Sequence, residues 1–376
     1  MRRKKKIFLC VILPLTFLMH LFWYQIIDET FVELKTCPAC YGRDLCSNLI
    51  INEDGKHSIQ LSGFSSLRLS KMINIKNVFY AFDGNEYLVL KKLAHDAELT
   101  DFDNNLCTSV GEAEGCDVAL ALKRIVKDNN EDIFKIIKKN PKLFENSDAL
   151  RCNHNNTVNH LYKKFKRLNS GMYELHNFLT LLAVNIEPLI SMAFNEDSPF
   201  FPQHLGSCGR LISEEYIGPT LSDLSFDPWM KRAEYARQLL NIVEELTKEN
   251  IHLYLTDVST DNFAVDKSGT LKIIDAENIV LVDSLSPNME PIEHENEGIG
   301  CKDCLSYSFE DLCSHRDADH NYFAVCKLLF AFLTALPEKI IHSLWLPKNY
   351  TELFPLHKCN VMQPEYRRHS ASLKMR

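Results

Sequence analysis

Clustered glycine is missing from this 376-residue chain. Its 13 glycines are scattered, and the only ones near the first hairpin-like stretch are Gly84 in the turn and Gly63 upstream. No glycine-rich loop is therefore available to wrap a phosphate chain in backbone N–H groups. A surplus of positive charge is missing as well. The formal net charge is −8, and five of the cations sit in Arg2–Lys6, so the remainder carries −13. An acidic body of this kind excludes nucleic-acid binding, which needs a basic footprint. Repeats, heptads and low-complexity tracts are absent too, which removes solenoids and coiled coils. With 45% hydrophobic residues the chain is long enough for a two-lobed globular unit.

The basic cluster Arg2–Lys6 precedes Ile7–Ile27, a stretch without a charge and long enough to cross a bilayer. No clear small-x-small cleavage site follows, and Phe22-Trp23-Tyr24 reads as an interfacial aromatic belt. These features favour an uncleaved type II anchor over a cleaved signal peptide, with residues 1–6 cytoplasmic and the rest lumenal. Cysteine usage points the same way. Apart from Cys10, twelve remain: Cys37, Cys40, Cys46, Cys107, Cys116, Cys152, Cys208, Cys301, Cys304, Cys313, Cys326 and Cys359. That even number suits disulfides in an oxidising compartment, in a connectivity the sequence leaves open. Asn155-Asn-Thr157 and Asn349-Tyr-Thr351 are glycan acceptor sequons, with Asn155 and Asn349 as the attachment points. Cys37-Pro-Ala-Cys40 and Cys301-Lys-Asp-Cys304 also have the spacing of zinc ligands or a redox pair, although neither lies in a visible zinc or thioredoxin context.

The most informative chemistry lies in Tyr254-Leu-Thr-Asp-Val-Ser-Thr-Asp-Asn262-Phe-Ala-Val265, followed by Leu271-Lys-Ile-Ile-Asp-Ala-Glu277. Asp257, Asn262 five residues on and Asp275 thirteen further reproduce the spacing of a protein-kinase catalytic loop and metal loop. Asp257 is placed to accept the proton of an attacking hydroxyl, while Asn262 and Asp275 converge on magnesium bridging the ATP phosphates. Trp229–Asn250 has apolar residues at helical intervals, and Phe263–Val265 and Leu271–Ile274 read as strands joined by Asp266-Lys-Ser-Gly269. His-Arg before the first Asp is replaced by Leu255-Thr256, and Asp-Phe-Gly by Asp275-Ala-Glu277. Without that Arg and Gly, switching by activation-loop phosphorylation is not expected.

Upstream, Ile75–Phe82 and Glu86–Leu93 form a predicted hairpin across Asp83-Gly-Asn85. Lys91 takes the position from which an ammonium reaches the α- and β-phosphates, and Lys92 points to the opposite face. Glu98 and Glu174 are the two candidates to hold Lys91. Between Lys91 and Gly206 lies a helical insertion, within which Asp101-Phe-Asp103-Asn-Asn105 with Glu112 has partial EF-hand spacing. Leu106 stands where that loop needs Gly, so solvated acids are expected there rather than calcium, with Cys107 bridged nearby, for instance to Cys116. Leu205–Gly218 reads as two strands and a hinge, where Glu215, Tyr216 and Ile217 would offer backbone groups to adenine. Asp319 opens a helix and is a candidate brace for the catalytic loop or a helix N-cap.

Several of these segments, notably Cys37-Pro-Ala-Cys-Tyr-Gly42, Asn77-Val-Phe-Tyr80, Leu205-Gly-Ser-Cys-Gly209, Asp257–Val265, Ile274-Asp-Ala-Glu-Asn278 and Asp319-His-Asn-Tyr322, resemble the deleted-in-autism, or divergent protein kinase domain 2, family. The likeness runs from about Thr36 to Cys326. It implies a Cys-rich kinase-like protein of the secretory pathway, placed in the Golgi or secreted. The fold expected is α+β and two-lobed: a signal anchor or signal peptide at 7–27, a Cys-rich segment at 28–62, a small lobe with helical insertion at 63–213, hinge and large lobe at 214–360, and a basic tail at 361–376. The function expected is ATP- and Mg²⁺-dependent transfer to a hydroxyl of a lumenal, secreted or membrane partner. The alternative is a pseudokinase acting as a binding protein.

Overall fold

The computed structural model describes residues 25–50, 58–67, 77–152, 155–168, 174–195, 199–284, 309–313 and 320–334. The apolar run before Gln25, Asp319, Asn349, Cys301, Cys304 and Cys359 lie outside them. Among the described residues no single helix is long and apolar enough to cross a membrane. The chain forms two compact units, one from 1–147, 165–192 and 203–216, the other from 148–164, 193–202 and 217–376. Parts of the helical insertion thus belong to the second unit.

The first unit is built on an antiparallel sheet of β1 (Gln60–Leu61), β2 (Val78–Phe82), β3 (Tyr87–Lys91), β4 (His204–Cys208) and β5 (Leu211–Glu215), in the order β1-β2-β3-β5-β4. The β2–β3 hairpin pairs Tyr80 with Val89 and Val78 with Lys91. Alternation along these strands separates two faces. Phe79, Ala81, Leu88 and Leu90 are buried against Ile27, Phe31, Val32, Leu49 and Ile59, each large side chain contributing about 1.5–3 kcal/mol. The Cys-rich N-terminal segment is therefore the cover of one sheet face. Gly209 fixes it in place: its φ is +60°, and a Cβ there would come 1.9 Å from the Val32 carbonyl oxygen. Backbone bonds Arg210 N to Val32 O (2.7 Å) and Tyr41 N to Gly209 O (2.9 Å) run beside it. The Cys46–Cys208 disulfide, spanning 162 residues, closes the same junction.

The insertion forms α1 (Asp96–Ser109), α2 (Val118–Asp128), α3 (Ile133–Lys139), α4 (Asn155–Leu168), α5 (Glu174–Val184) and α6 (Glu187–Phe194). α2 shows how sequence dictates such a helix: the Asp117 carboxylate accepts from Leu120 N–H at its start, and Leu122, Ile125 and Val126 line the buried stripe. The Asp101–Asn105 stretch is helical, not a loop. Asp103 is not a solvated acid either, since both its oxygens engage the buried Arg210 guanidinium. Cys107 is joined to Cys116.

In the second unit, α7 (Trp229–Glu245) buries Ala233, Ala236, Leu239, Leu240 and Val243. It stops five residues short of the expected end because the chain turns into β6 (Ile251–Leu255), which pairs with β9 (Ile279–Asp283). Between them β7 (Phe263–Val265) and β8 (Leu271–Ile273) form the expected hairpin, its turn organised by Asp266 Oδ1 accepting from Ser268 and Thr270 N–H groups at 2.8 Å. Tyr254, Val280, Val282 and Leu312 form a core beside the Cys152–Cys313 disulfide, which ties α8 (Phe309–Cys313) to the unit. α9 (His320–Thr334) carries the bridged Cys326.

Candidate functional site

Lys91 ends β3 on the face opposite the N-terminal cover. Its ammonium is ion-paired to Glu187 and, at 2.9 Å, to Glu214 Oε2. The three side chains are 12%, 6% and 2% exposed, so the ammonium is taken out of water and faces two carboxylates. Burial alone would pull its pKa down; the Glu187 and Glu214 carboxylates more than offset that and hold it raised.

Glu187, rather than Glu98 or Glu174, is the α-helical partner of Lys91. Glu98 is used locally, its carboxylate accepting from His95 N–H at 2.7 Å as part of the α1 capping box. Glu174 opens α5, and the chain runs ten further residues of that helix before the break that starts α6. Asn185 sets this break: its Oδ1 accepts from Glu187 N–H (2.9 Å) and its Nδ2 donates to Leu93 O (2.8 Å), coupling the end of β3 to the start of α6. The Glu187-Pro188 step was the available signal, because Pro favours the first turn of a new helix. Glu214 follows from register: Val89 faces Glu214 and Lys91 faces Ile212, so Glu214 lies on the Lys91 face, one step along β5. Lys92, on the other face, is also buried, paired with Glu33 at 2.8 Å and over the Phe31 ring.

The segment read as a hinge begins within β5. Glu215 N–H donates to Gln203 O (3.0 Å), and its carboxylate accepts from Gln203 N–H (3.2 Å); Ile217 is buried. The following Gly218 has φ +153°, and a Cβ there would lie 2.2 Å from Val265 O, which keeps this position glycine.

In the second unit, Asp257, Asn262 and Asp275 line one recess with Leu255, Thr256, Phe263, Ile273, Asn278 and Ile279. Asp257 is exposed, Asp275 half-buried and Asn262 buried. Asn262 Nδ2 donates to Asp257 O at 3.1 Å, which turns its Oδ1 to serve as an acceptor, and Asn262 O receives Ile274 N–H at 2.9 Å. One carboxylate and one amide oxygen fit Mg²⁺, which takes few protein ligands and completes its shell with water and phosphate oxygens. Two residues missed by the sequence reading brace this loop. Asn321 Oδ1 accepts from Leu255 N–H and its Nδ2 donates to Leu253 O, both at 2.8 Å, while His320 Nε2 donates to Leu255 O at 2.9 Å. They directly follow Asp319, the residue singled out for that role.

Strand order, the buried Lys–Glu pair and the Asp–Asn–Asp recess define a protein-kinase-like domain. A family model described as the protein-kinase domain of FAM69 matches residues 178–349. Divergent protein kinase domain 2A of Xenopus tropicalis is 32% identical over 334 residues, covering 82% of this chain and 76% of that protein. The Homo sapiens protein of the same name is 31% identical over the same coverage, and divergent protein kinase domain 2B of Bos taurus is 24% identical over 275 residues, 68% of this chain and 62% of that one. The chain belongs to the divergent protein kinase domain 2 family.

Proposed function

We propose that this protein is an ATP- and Mg²⁺-dependent phosphotransferase acting on a hydroxyl of a lumenal, secreted or membrane-bound substrate. The observation that carries the reading is the gathering of Asp257, Asn262 and Asp275 around one recess. Asp257 accepts the hydroxyl proton, Asn262 and Asp275 hold Mg²⁺, and Lys91, kept charged by Glu187, meets the phosphates. Mg²⁺ supplies neutralisation of charge on the phosphates. Backbone groups around Glu215 and Ile217 receive the base. The four described disulfides and the exposed Asn155 support a secretory-pathway location, with the Golgi or the exterior as destination.

Asp275→Asn tests the metal assignment. Purified protein should be stabilised against heat by Mg²⁺-ATP, because a ligand that binds only the folded state raises the melting temperature, and the variant should lose that shift together with any turnover. Wild-type turnover in Asp275→Asn overturns the assignment. A second reading, a pseudokinase serving as a binding protein, is favoured by Glu214, whose carboxylate holds Lys91 where phosphates would bind. Absence of any shift at millimolar Mg²⁺-ATP in the wild type selects that reading.

A further inference from the structure

Cys37 and Cys40 are bridged to each other across a three-residue separation, and nothing in the phosphotransfer reading uses them. The two sulfurs are unlike. Cys37 is half-buried, whereas Cys40 is completely buried, so an incoming thiolate reaches the Cys37 end of the bond. The Cys40 end has a donor beside it: Asn177 Nδ2 lies 3.5 Å from Cys40 Sγ while also donating to Cys40 O at 2.8 Å and reaching Pro38 O at 3.4 Å. A hydrogen bond from that amide stabilises Cys40 as the departing thiolate. Once protonated, the same sulfur has Gly42 O within 3.8 Å as an acceptor.

The surrounding backbone has anchors other than the bridge. Arg210 Nε donates to Ala39 O at 3.2 Å, Tyr41 N–H to Gly209 O at 2.9 Å, and Tyr41 Oη–H to Lys92 O at 3.1 Å. These bonds tie residues 39–41 to β3 and to the Gly209–Arg210 turn without using either sulfur. The Cys46–Cys208 and Cys152–Cys313 bridges differ in kind, since they close loops of 162 and 161 residues and constrain the unfolded chain far more. A partly exposed cysteine, a buried one with a donor at its sulfur, and a loop with anchors of its own suit a reversible exchange site.

We propose that Cys37–Cys40 is a dithiol–disulfide exchange centre that oxidises thiols of a lumenal or extracellular protein. A substrate thiolate bonds to Cys37 Sγ, the Cys37–Cys40 bond breaks, and Cys40 leaves with the electron pair. A second substrate thiolate then attacks the substrate sulfur of the mixed disulfide, and Cys37 leaves. Two substrate thiols become one disulfide, the cysteine pair becomes a dithiol, and the two protons pass to the cysteine sulfurs. A small disulfide such as oxidised glutathione restores the bridge by the reverse exchange.

The test uses the full chain purified from a secretory host, equilibrated in graded reduced and oxidised glutathione, alkylated in acid and read bridge by bridge by mass spectrometry. Cys37 and Cys40 should become half-reduced in buffers at least tenfold less reducing than Cys46–Cys208 requires, with circular dichroism unchanged. Opening of this pair only together with the long-range bridges, or only on unfolding, overturns the proposal. In a second arm, the free Cys37 thiol of Cys40→Ser should attack a peptide supplied as its mixed disulfide with glutathione, forming a protein–peptide disulfide at Cys37 and releasing reduced glutathione, whereas Cys37→Ser should leave Cys40 unreacted. Equal capture by the two variants, or by neither, also overturns it. Asn177→Leu should slow opening by glutathione several-fold; an unchanged rate removes the leaving-group role and with it the argument for a built site.

Discussion

Glu214 places Oε2 2.9 Å from the Lys91 ammonium, from the neighbouring strand and on the same sheet face. Its other oxygen, Oε1, is buried and has no hydrogen-bond partner among the described residues. With Glu187 on the same ammonium, the cluster holds two carboxylates against one cation in a place nearly closed to water. In the phosphotransfer reading proposed above, the second carboxylate competes with nucleotide phosphates for Lys91.

Glu214→Gln should therefore tighten Mg²⁺-ATP binding, by roughly tenfold or about 1.4 kcal/mol, because Lys91 keeps Glu187 and is released towards the phosphates. Glu187→Gln should weaken it. Isothermal titration of the two variants checks the pair, and tighter binding by Glu187→Gln than by Glu214→Gln would reverse the assigned roles.

Lys91→Met leaves Glu187 and Glu214 buried and facing each other, and breaking a buried pair in this way costs about 3–5 kcal/mol. The sign with pH follows from the raised pKa of Lys91. A raised folded-state pKa contributes its full stability below the unfolded value and loses it only as pH rises through the folded one. The stability gap between wild type and Lys91→Met should accordingly not shrink as pH rises from 8 to 9 in urea titrations. A gap that closes as pH rises through that range would mean that the ammonium is not held charged by its partners.

His204 on β4 gives the opposite dependence. Burial pushes its pKa down to about 4, so the folded protein resists the proton that the unfolded chain accepts from about pH 6.5 downwards. Stability should fall as pH drops from about 6.5 to about 4 and level off below. The residue as a whole is only partly shielded from water, which limits this part to about 1–2 kcal/mol. His204→Gln should remove that slope while leaving the rest of the acid profile in place; an unaltered profile would show that His204 charges freely in the fold.

The second unit was the more legible in sequence. Asp257, Asn262 and Asp275 lie within nineteen residues of chain, and local hairpin geometry brings them together with little help from distant residues. The Lys91 site is assembled from β3, β5 and α6, so its partners depend on strand register and on a helix break at Asn185, neither of which periodicity specifies. Glu98 and Glu174 have the helical context of a partner but not the placement. The Cys-rich segment 28–62 gives no sign in sequence of the sheet it covers, because its apolar residues, among them Phe31, Val32 and Leu49, follow no regular period; Ile27, assigned to the end of the apolar anchor run, packs in the same core. The β6–β9 pairing escaped for the same reason, since β6 and β9 are short apolar runs that join at long range.

The loop that carries Asp257 is braced from α9, and that brace should be measurable. Asn321 satisfies Leu255 N–H and Leu253 O, and it is itself buried. Asn321→Leu leaves both backbone groups without that partner, a loss of about 2–4 kcal/mol by the usual cost of stranded buried donors and acceptors. Asn321→Asp keeps the acceptor for Leu255 but sets a carboxylate oxygen against Leu253 O, so it should not rescue stability. Because Asp257 follows Leu255 by two residues, loosening this strand should also scatter the position of the proposed base, lowering turnover more than nucleotide affinity. Hydrogen exchange at the Leu255 amide reads the brace directly: protection should fall in both variants. Full protection of Leu255 in Asn321→Leu would show that β9 pairing alone holds the strand and that α9 has no part in positioning Asp257.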